Sequence, residues 1–467
     1  MLQNRNTLKV NIMKPFPFAI PLFTIILLAS LSGMRFMGDP ESQEKKYHYY
    51  EDPIICSGCH WDKFTKWSGS QHSKGFTGDF FQAQFYEVLL PSRSLDEKLA
   101  NANEDCIGCH SPSAFLSGDM IPERTIEADN HWSPMPEARA RAERGVFCDF
   151  CHTLDHFVND PPFNHDYISH ATADVDSKRG DLEDPWSPHH ETIESEVFVS
   201  PDICATCHNE QNPYGVWVKA TELEYSESVY PERGIPCQDC HMQPMGGKPG
   251  KMGPLREHNT DHWFGGGFAE FLEGAAAVYI QGEDLQVSAG EEVQFSILVK
   301  TMATGHKFPT GSVEERDVWL HVSLNNEAGE ELLHIPVPLN PDDPNDKYFI
   351  TSNAKVAYPS HSTLSDPIER DGLTEGDRLY HSAFLDSEGE FTYAQWVCVE
   401  EIENRLDPLE ERMENYRFTI PELDKGAYYL TAQLNYRRMP DPLADYFGID
   451  RRPVMEVSKN VRKLFLN

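Results

Sequence analysis

Ten of the eleven cysteines in the chain fall into five copies of one pattern: two cysteines three apart with a histidine directly behind them. The copies read Cys56-Ser-Gly-Cys59-His60, Cys106-Ile-Gly-Cys109-His110, Cys148-Asp-Phe-Cys151-His152, Cys204-Ala-Thr-Cys207-His208 and Cys237-Gln-Asp-Cys240-His241. One such cysteine pair suits zinc, a disulfide or a redox-active dithiol. Structural zinc, however, expects a second ligand pair per site and gives no reason for histidine always to follow the second cysteine. Covalent haem gives that reason, because two thiols add to its two vinyl groups and the next residue reaches the iron from the same side. A single helical turn suffices: positions i and i+3 share a face and i+4 projects beside them. The pattern predicts five covalently attached haem c groups, tethered by these ten cysteines, with His60, His110, His152, His208 and His241 as proximal iron ligands. A protein held only by zinc or disulfides is the alternative, and it would lack haem absorbance.

The elements that must position these groups divide the chain. Residues 1–34 hold Arg5, Lys9 and Lys14 ahead of the apolar stretch FPFAIPLFTIILLASLSG, the order of a secretory signal or an uncleaved anchor. Pro15, Pro17 and Pro21 weaken this stretch as a membrane helix, and Ala29 to Gly33 is the expected cleavage region. Residues 35–47 read as a linker. Residues 48–270 hold all five motifs between polar, proline-containing loops, which predicts short helices and loops around stacked haems. Asp79 to Leu90 is expected as a helix stopping at Pro91, Pro136 to Arg144 as another, and Ser94 with Glu97 as a capping box. From 275 to 467 the pattern changes to short alternating segments, VQFSILV (293–299), VWLHVSL (318–324) and AYYLTAQLNYR (427–437). These predict an all-β sandwich of Ig-like kind. Cys398, in the strand-like run WVCV, reads as a buried structural thiol.

Composition limits the partners. Lys and Arg number 40 against 75 Asp and Glu, a net charge of −35. Nucleic acid and anionic membrane surfaces are therefore excluded as natural partners, and a membrane enters only if the N-terminal segment is retained. Such a charge suits a well-solvated surface or the steering of a basic redox partner.

The element Cys56-x-x-Cys59-His60 with Trp67, Ser70 and His72, the stretch GVFCDFCH (145–152) and the stretch GIPCQDCHM (234–242) resemble the multihaem cytochromes c of the tetrahaem nitrifier (cytochrome c-554) type. The filament-forming outer-surface cytochromes of metal-respiring bacteria are related to these. The octapeptide TGHKFPTG (304–311) resembles the β-domain appended to many such proteins. The resemblance spans nearly all of the mature chain, and it departs from the type protein in having five motifs rather than four. It implies export to the periplasm or cell surface, a low-spin iron between two imidazoles at most sites, and His72 as distal ligand to the haem of the third motif.

Five irons need five distal ligands, and fifteen histidines lie outside the motifs. The candidates are His72; His165, which competes with His156 and His170; one of His189 and His190; His262, beside glycines that allow close backbone approach; and His306 in the GHKFPTG loop. For His306 the plain alternative is turn chemistry, with the ring bonded to backbone. His131, His258, His321, His334, His361 and His381 are expected to be structural or surface residues. If every iron is capped, the protein is an electron carrier. If one is open, it could act on nitric oxide, nitrite or hydroxylamine, although no catalytic residue is recognisable. If a histidine of one chain completes a haem of the next, subunits would form a filament.

Overall fold

The computed structural model describes residues 50–125, 142–171, 177–266, 269–356, 358 and 367–467. The expected signal and linker, His131, His361 and most of the expected helix from Pro136 lie outside the described residues. Among the described residues no helix is long and apolar enough to cross a membrane.

The motif-bearing region is built from short helices, and each motif sits on one helical turn. Helix Pro53–Ser57 starts with Asp52 as its cap, whose carboxylate accepts from the Ile54 N–H at 3.0 Å, and with proline at the first position. The turn runs on through the first motif, because the His60 N–H donates to the Cys56 carbonyl at 2.8 Å. The other motifs lie on helices Ala102–His110, Cys148–Cys151, Asp202–His208 and Cys237–His241.

Two local expectations need correction. The helical run from Asp79 does not stop at Pro91: it passes through a π-helical segment, Gln84–Leu89, and ends at Leu90–Ser92. Proline lacks an N–H and crowds the carbonyl four residues back, a conflict that the wider π turn just before it relieves. The turn Glu97–Leu99 is capped by Asp96, whose carboxylate accepts from the Lys98 N–H at 2.9 Å. Ser94 instead donates to the Pro91 carbonyl at 3.1 Å.

The C-terminal region is a β-sandwich. Its strands are β1 (Ala276–Ile280), β2 (Leu285–Val287), β3 (Glu292–Thr301), β4 (Asp317–Asn325), β5 (Glu331–His334), β6 (Arg378–Leu379), β7 (Glu411–Thr419), β8 (Gly426–Arg437) and β9 (Met455–Leu466). One sheet has the order β7-β3-β1; the other has β5-β4-β8-β9-β2, with β6 also on β4. All neighbours are antiparallel except β9 with β2. The alternation predicted for β3 holds, with Val293, Phe295, Ile297 and Val299 buried towards the partner sheet. Each contributes on the order of 2 kcal/mol by leaving water. Cys398 is buried as expected, but just after a 3₁₀ turn (Gln395–Val397) rather than on a strand.

A second apolar core joins the two regions, and the sequence did not announce it. Phe85, Val88 and Leu89 of the π segment pack in one cluster with Phe349, Leu385, Phe391, Tyr393, Trp396 and Leu443 from the sandwich side. Polar contacts seal the same seam. The Asn212 amide donates to the carbonyls of Gln395 at 2.8 Å and Cys398 at 2.7 Å.

Candidate haem-binding site

All five motifs open onto one continuous cavity of about 1780 Å³. Single small-molecule pockets run from roughly 300 to 1,000 Å³, so this space suits several large groups. All ten motif cysteines line it, and none of the chain's eleven cysteines is paired in a disulfide. Cysteines of different motifs meet there: Cys56 sits against Cys148, Cys109 against Cys207, and Cys204 against Cys237. Burial pushes the Cys151 thiol up to about 12, as expected beside a mostly apolar space.

Histidines line the same cavity in four pairs, each joining a motif histidine to one outside the motifs. Ring centres are 6.4 Å apart in His60 and His190, 6.2 Å in His208 and His72, 6.1 Å in His152 and His262, and 6.1 Å in His241 and His306. Two imidazoles bound to opposite sides of one metal, each through a nitrogen about 2 Å away, would place their ring centres about 6 Å apart. Rings in direct contact sit closer, as Phe81 and His110 do at 4.1 Å.

Hydrogen bonds fix which nitrogen is free. Nδ1 donates to a backbone carbonyl in His60 (Pro249, 2.7 Å), His110 (Gly75, 2.7 Å), His190 (Glu191, 2.9 Å), His262 (Thr260, 3.1 Å) and His306 (Lys307, 2.8 Å). His152 and His241 do the same to Arg179 and Gly265. A carbonyl only accepts, so these seven rings carry the proton on Nδ1 and keep the Nε2 lone pair for a metal. Burial holds His72 and His110 down at about 4, and His208 and His262 at about 3, so all four are neutral and able to ligate at physiological pH. Donor type, tautomer, pairing distance and thiol placement all fit covalent haem.

The Trp67, Ser70 and His72 element acquires a physical meaning here. The Trp67 indole donates to the Val146 carbonyl at 2.8 Å, and the Val146 N–H donates to the His72 carbonyl at 2.9 Å. Ser70, fully buried, donates to the Trp67 carbonyl at 2.7 Å. Gly145, at φ +59°, leaves no room for a Cβ, which would stand 2.5 Å from the His72 carbonyl oxygen. Residues just before the third motif thus hold His72, but its ring faces His208 of the fourth motif rather than His152 of the third. His262 faces His152 instead.

Two expected candidates are placed elsewhere. His165 lies against Gly108 and Phe115 with Nε2 3.1 Å from an Asp105 oxygen, and no motif histidine ring stands beside it. Its backbone is left-handed, at φ +54°. His189 is mostly exposed, 3.6 Å from a Glu51 oxygen, while its neighbour His190 takes the place beside His60. His156 and His170 both bond Asp155, at 2.7 and 2.6 Å. His381 is buried, and its Nε2 donates to the Tyr348 carbonyl at 3.0 Å.

His306 reaches His241 because its loop is clamped from the helical side. Buried Glu224 accepts from the Thr310 hydroxyl at 2.7 Å and the Lys307 N–H at 3.2 Å, and meets the Arg405 guanidinium at 2.5 Å. Arg405 in turn donates to the Pro309 carbonyl at 3.3 Å. No spacing rule in the sequence pointed to Glu224.

Residues 55–153 match the family model for cytochrome c554 and c-prime. Among solved structures, a penta-heme cytochrome c552 from Thermochromatium tepidum shares the fold at 17% identity, covering 88% of this chain and 99% of that one, with a TM-score of 0.54. The CARDB domain of a Pyrococcus furiosus protein aligns with 41% of this chain and 96% of its own, at 12% identity and a TM-score of 0.16. No curated protein sequence matches the chain. With the five motifs, the family model and the penta-heme neighbour support a multihaem cytochrome c carrying covalently bound haem. Electron transfer is the work of that class in general.

Proposed function

We propose that this chain is a pentahaem electron carrier in which four irons are held between two histidines. The four pairs at 6.1 to 6.4 Å carry this reading. His60 with His190, His208 with His72, His152 with His262 and His241 with His306 would each hold one haem iron, which would then serve electron transfer rather than substrate binding. Haem, when bound, supplies reversible one-electron chemistry. The carbonyls that accept from Nδ1 fix each ring's orientation and raise its basicity as a ligand. Contacts among the thiols order the sites. The first motif adjoins the third through Cys56 and Cys148, and the fourth adjoins the second through Cys109 and Cys207 and the fifth through Cys204 and Cys237. The fourth motif is the junction of the second and the fifth. The N-terminal segment supports export to the periplasm or cell surface, and the acidic surface supports brief electrostatic contact with a basic redox partner.

A second reading concerns His110. Among the described residues no histidine ring faces it as in the four pairs, and its ring stacks on Phe81 instead. Gln84 lies three residues on from Phe81, and its amide donates to Glu315 at 2.9 Å; both line the cavity. Burial pushes the Glu315 carboxyl up, opposed by Arg316 and the Gln84 bond. This site would admit a small nitrogen compound such as nitric oxide, nitrite or hydroxylamine. Cyanide or nitric oxide should then perturb one-fifth of the haem spectrum, and an unresponsive spectrum would contradict this second reading.

His306→Ala tests the first reading. It should leave the haem count at five while converting one low-spin signal to high spin in the oxidised protein. Retention of every low-spin signal would remove His306 from the ligand set.

A further inference from the structure

Away from the haem cavity, the edge of the larger sheet brings together two imidazoles and two carboxylates. His321 lies on β4, His334 ends β5, and Asp377 immediately precedes β6. The register explains the meeting. β5 pairs with the later part of β4 (Ser323 opposite His334) and β6 with the earlier part (Leu320 opposite Arg378), so β4 is flanked on one edge by both ends of the excursion 335–376. His321 sits where these two partners adjoin. His334 is its diagonal neighbour, and Asp377 continues the β6 register to stand opposite it.

The donor atoms of His321, His334 and Asp377 lie within 4.8 Å of one another, the only such group of three among the described residues. Asp377 oxygens stand 2.9 Å from His321 Nδ1 and 2.8 Å from His334 Nε2, and the two rings are parallel with centres 5.1 Å apart. Glu331 places an oxygen 3.0 Å from His321 Nε2. Asp377 is fixed and buried, its own N–H donating to the Thr351 hydroxyl at 2.7 Å. Gly376 beside it, at φ +98°, could not carry a side chain: a Cβ would stand 2.7 Å from that of Pro336. The histidines are about one-fifth exposed and Glu331 more so, which leaves an entry path from solvent.

The geometry points to a metal site at His321, His334 and Asp377 that takes one divalent transition-metal ion through His321 Nδ1, with Glu331 accepting from the opposite nitrogen of that ring. Two imidazoles and carboxylate oxygen form a borderline donor set, suited to zinc and its neighbours rather than to calcium or magnesium, which prefer oxygen alone. All three ligands sit on or beside paired strands, so little rearrangement is needed. The bound ion would tie the start and the end of the excursion 335–376 to β4, closing a long loop at its base, where a cross-link removes the most chain entropy from the unfolded state. The alternative is a purely hydrogen-bonded cluster in which Asp377 satisfies both rings. This site is independent of how the haem irons are ligated.

Zinc chloride titrated by calorimetry into the chelator-treated, haem-loaded full-length protein tests this directly. One equivalent should bind at micromolar or tighter affinity and raise the unfolding temperature. His334→Gln should lower affinity at least tenfold, and Asp377→Asn should do likewise while conserving volume. Both variants must keep the haem spectrum of the parent, so that lost binding is not lost folding. Zinc binding that is absent, or equal in parent and variants, would overturn the proposal.

Discussion

Glu224→Ala is expected to destabilise the protein by roughly 2–3 kcal/mol, the cost of removing one buried charged hydrogen-bond partner while Arg405 keeps Glu403. Glu224 and Arg405 are each about one-twentieth exposed in their side chains, so water compensates little. The same change releases Thr310 and Lys307, the anchors on either side of Phe308 and Pro309, so the loop bearing His306 should loosen. Chemical denaturation of the haem-loaded protein gives the first effect; a rise in high-spin signal gives the second. Glu224→Gln should cost less, because its amide oxygen can still accept from the Thr310 hydroxyl or the Arg405 guanidinium. A cost below about 1 kcal/mol for the alanine variant would show that the clamp is dispensable.

The second large effect is expected at the fourth motif. Replacing Cys204 and Cys207 together with serine should lower the intact mass by one haem and remove the low-spin signal assigned to His72 and His208. The loss should also spread, because these cysteines adjoin Cys237 and Cys109 of two other motifs. The same double change at the first motif, which adjoins the third through Cys56 and Cys148, should leave the other four sites closer to the parent. Equal disturbance from both variants would contradict the junction role of the fourth motif.

What could be read in the sequence was local. A CxxCH motif needs only one helical turn, and each of the five has it. Period-two alternation placed β3, β4 and β8 within two residues of their observed ends, because one face of each strand meets a core. What could not be read was pairing across distance. His72 lies twelve residues after His60 yet faces His208, since its place is set by Trp67, Val146 and Gly145. His190 rather than His189 reaches His60 for a reason outside its own neighbourhood. The apolar face of the helix from Asp79 was visible, but its partners Phe391 and Trp396 lie some 300 residues later and carried no signal towards it. His321, His334 and Asp377 were likewise invisible as a group, because sheet register rather than spacing unites them.

The account rests on how many irons have two histidines. Electron paramagnetic resonance of the fully oxidised, haem-loaded protein, read beside a haem count by intact mass, measures this most directly. Five haems, four of them low spin and one high spin, is the predicted result, the high-spin centre belonging to His110. Fewer than five haems, or fewer than four low-spin centres, would contradict the pairing of His60, His208, His152 and His241 with His190, His72, His262 and His306.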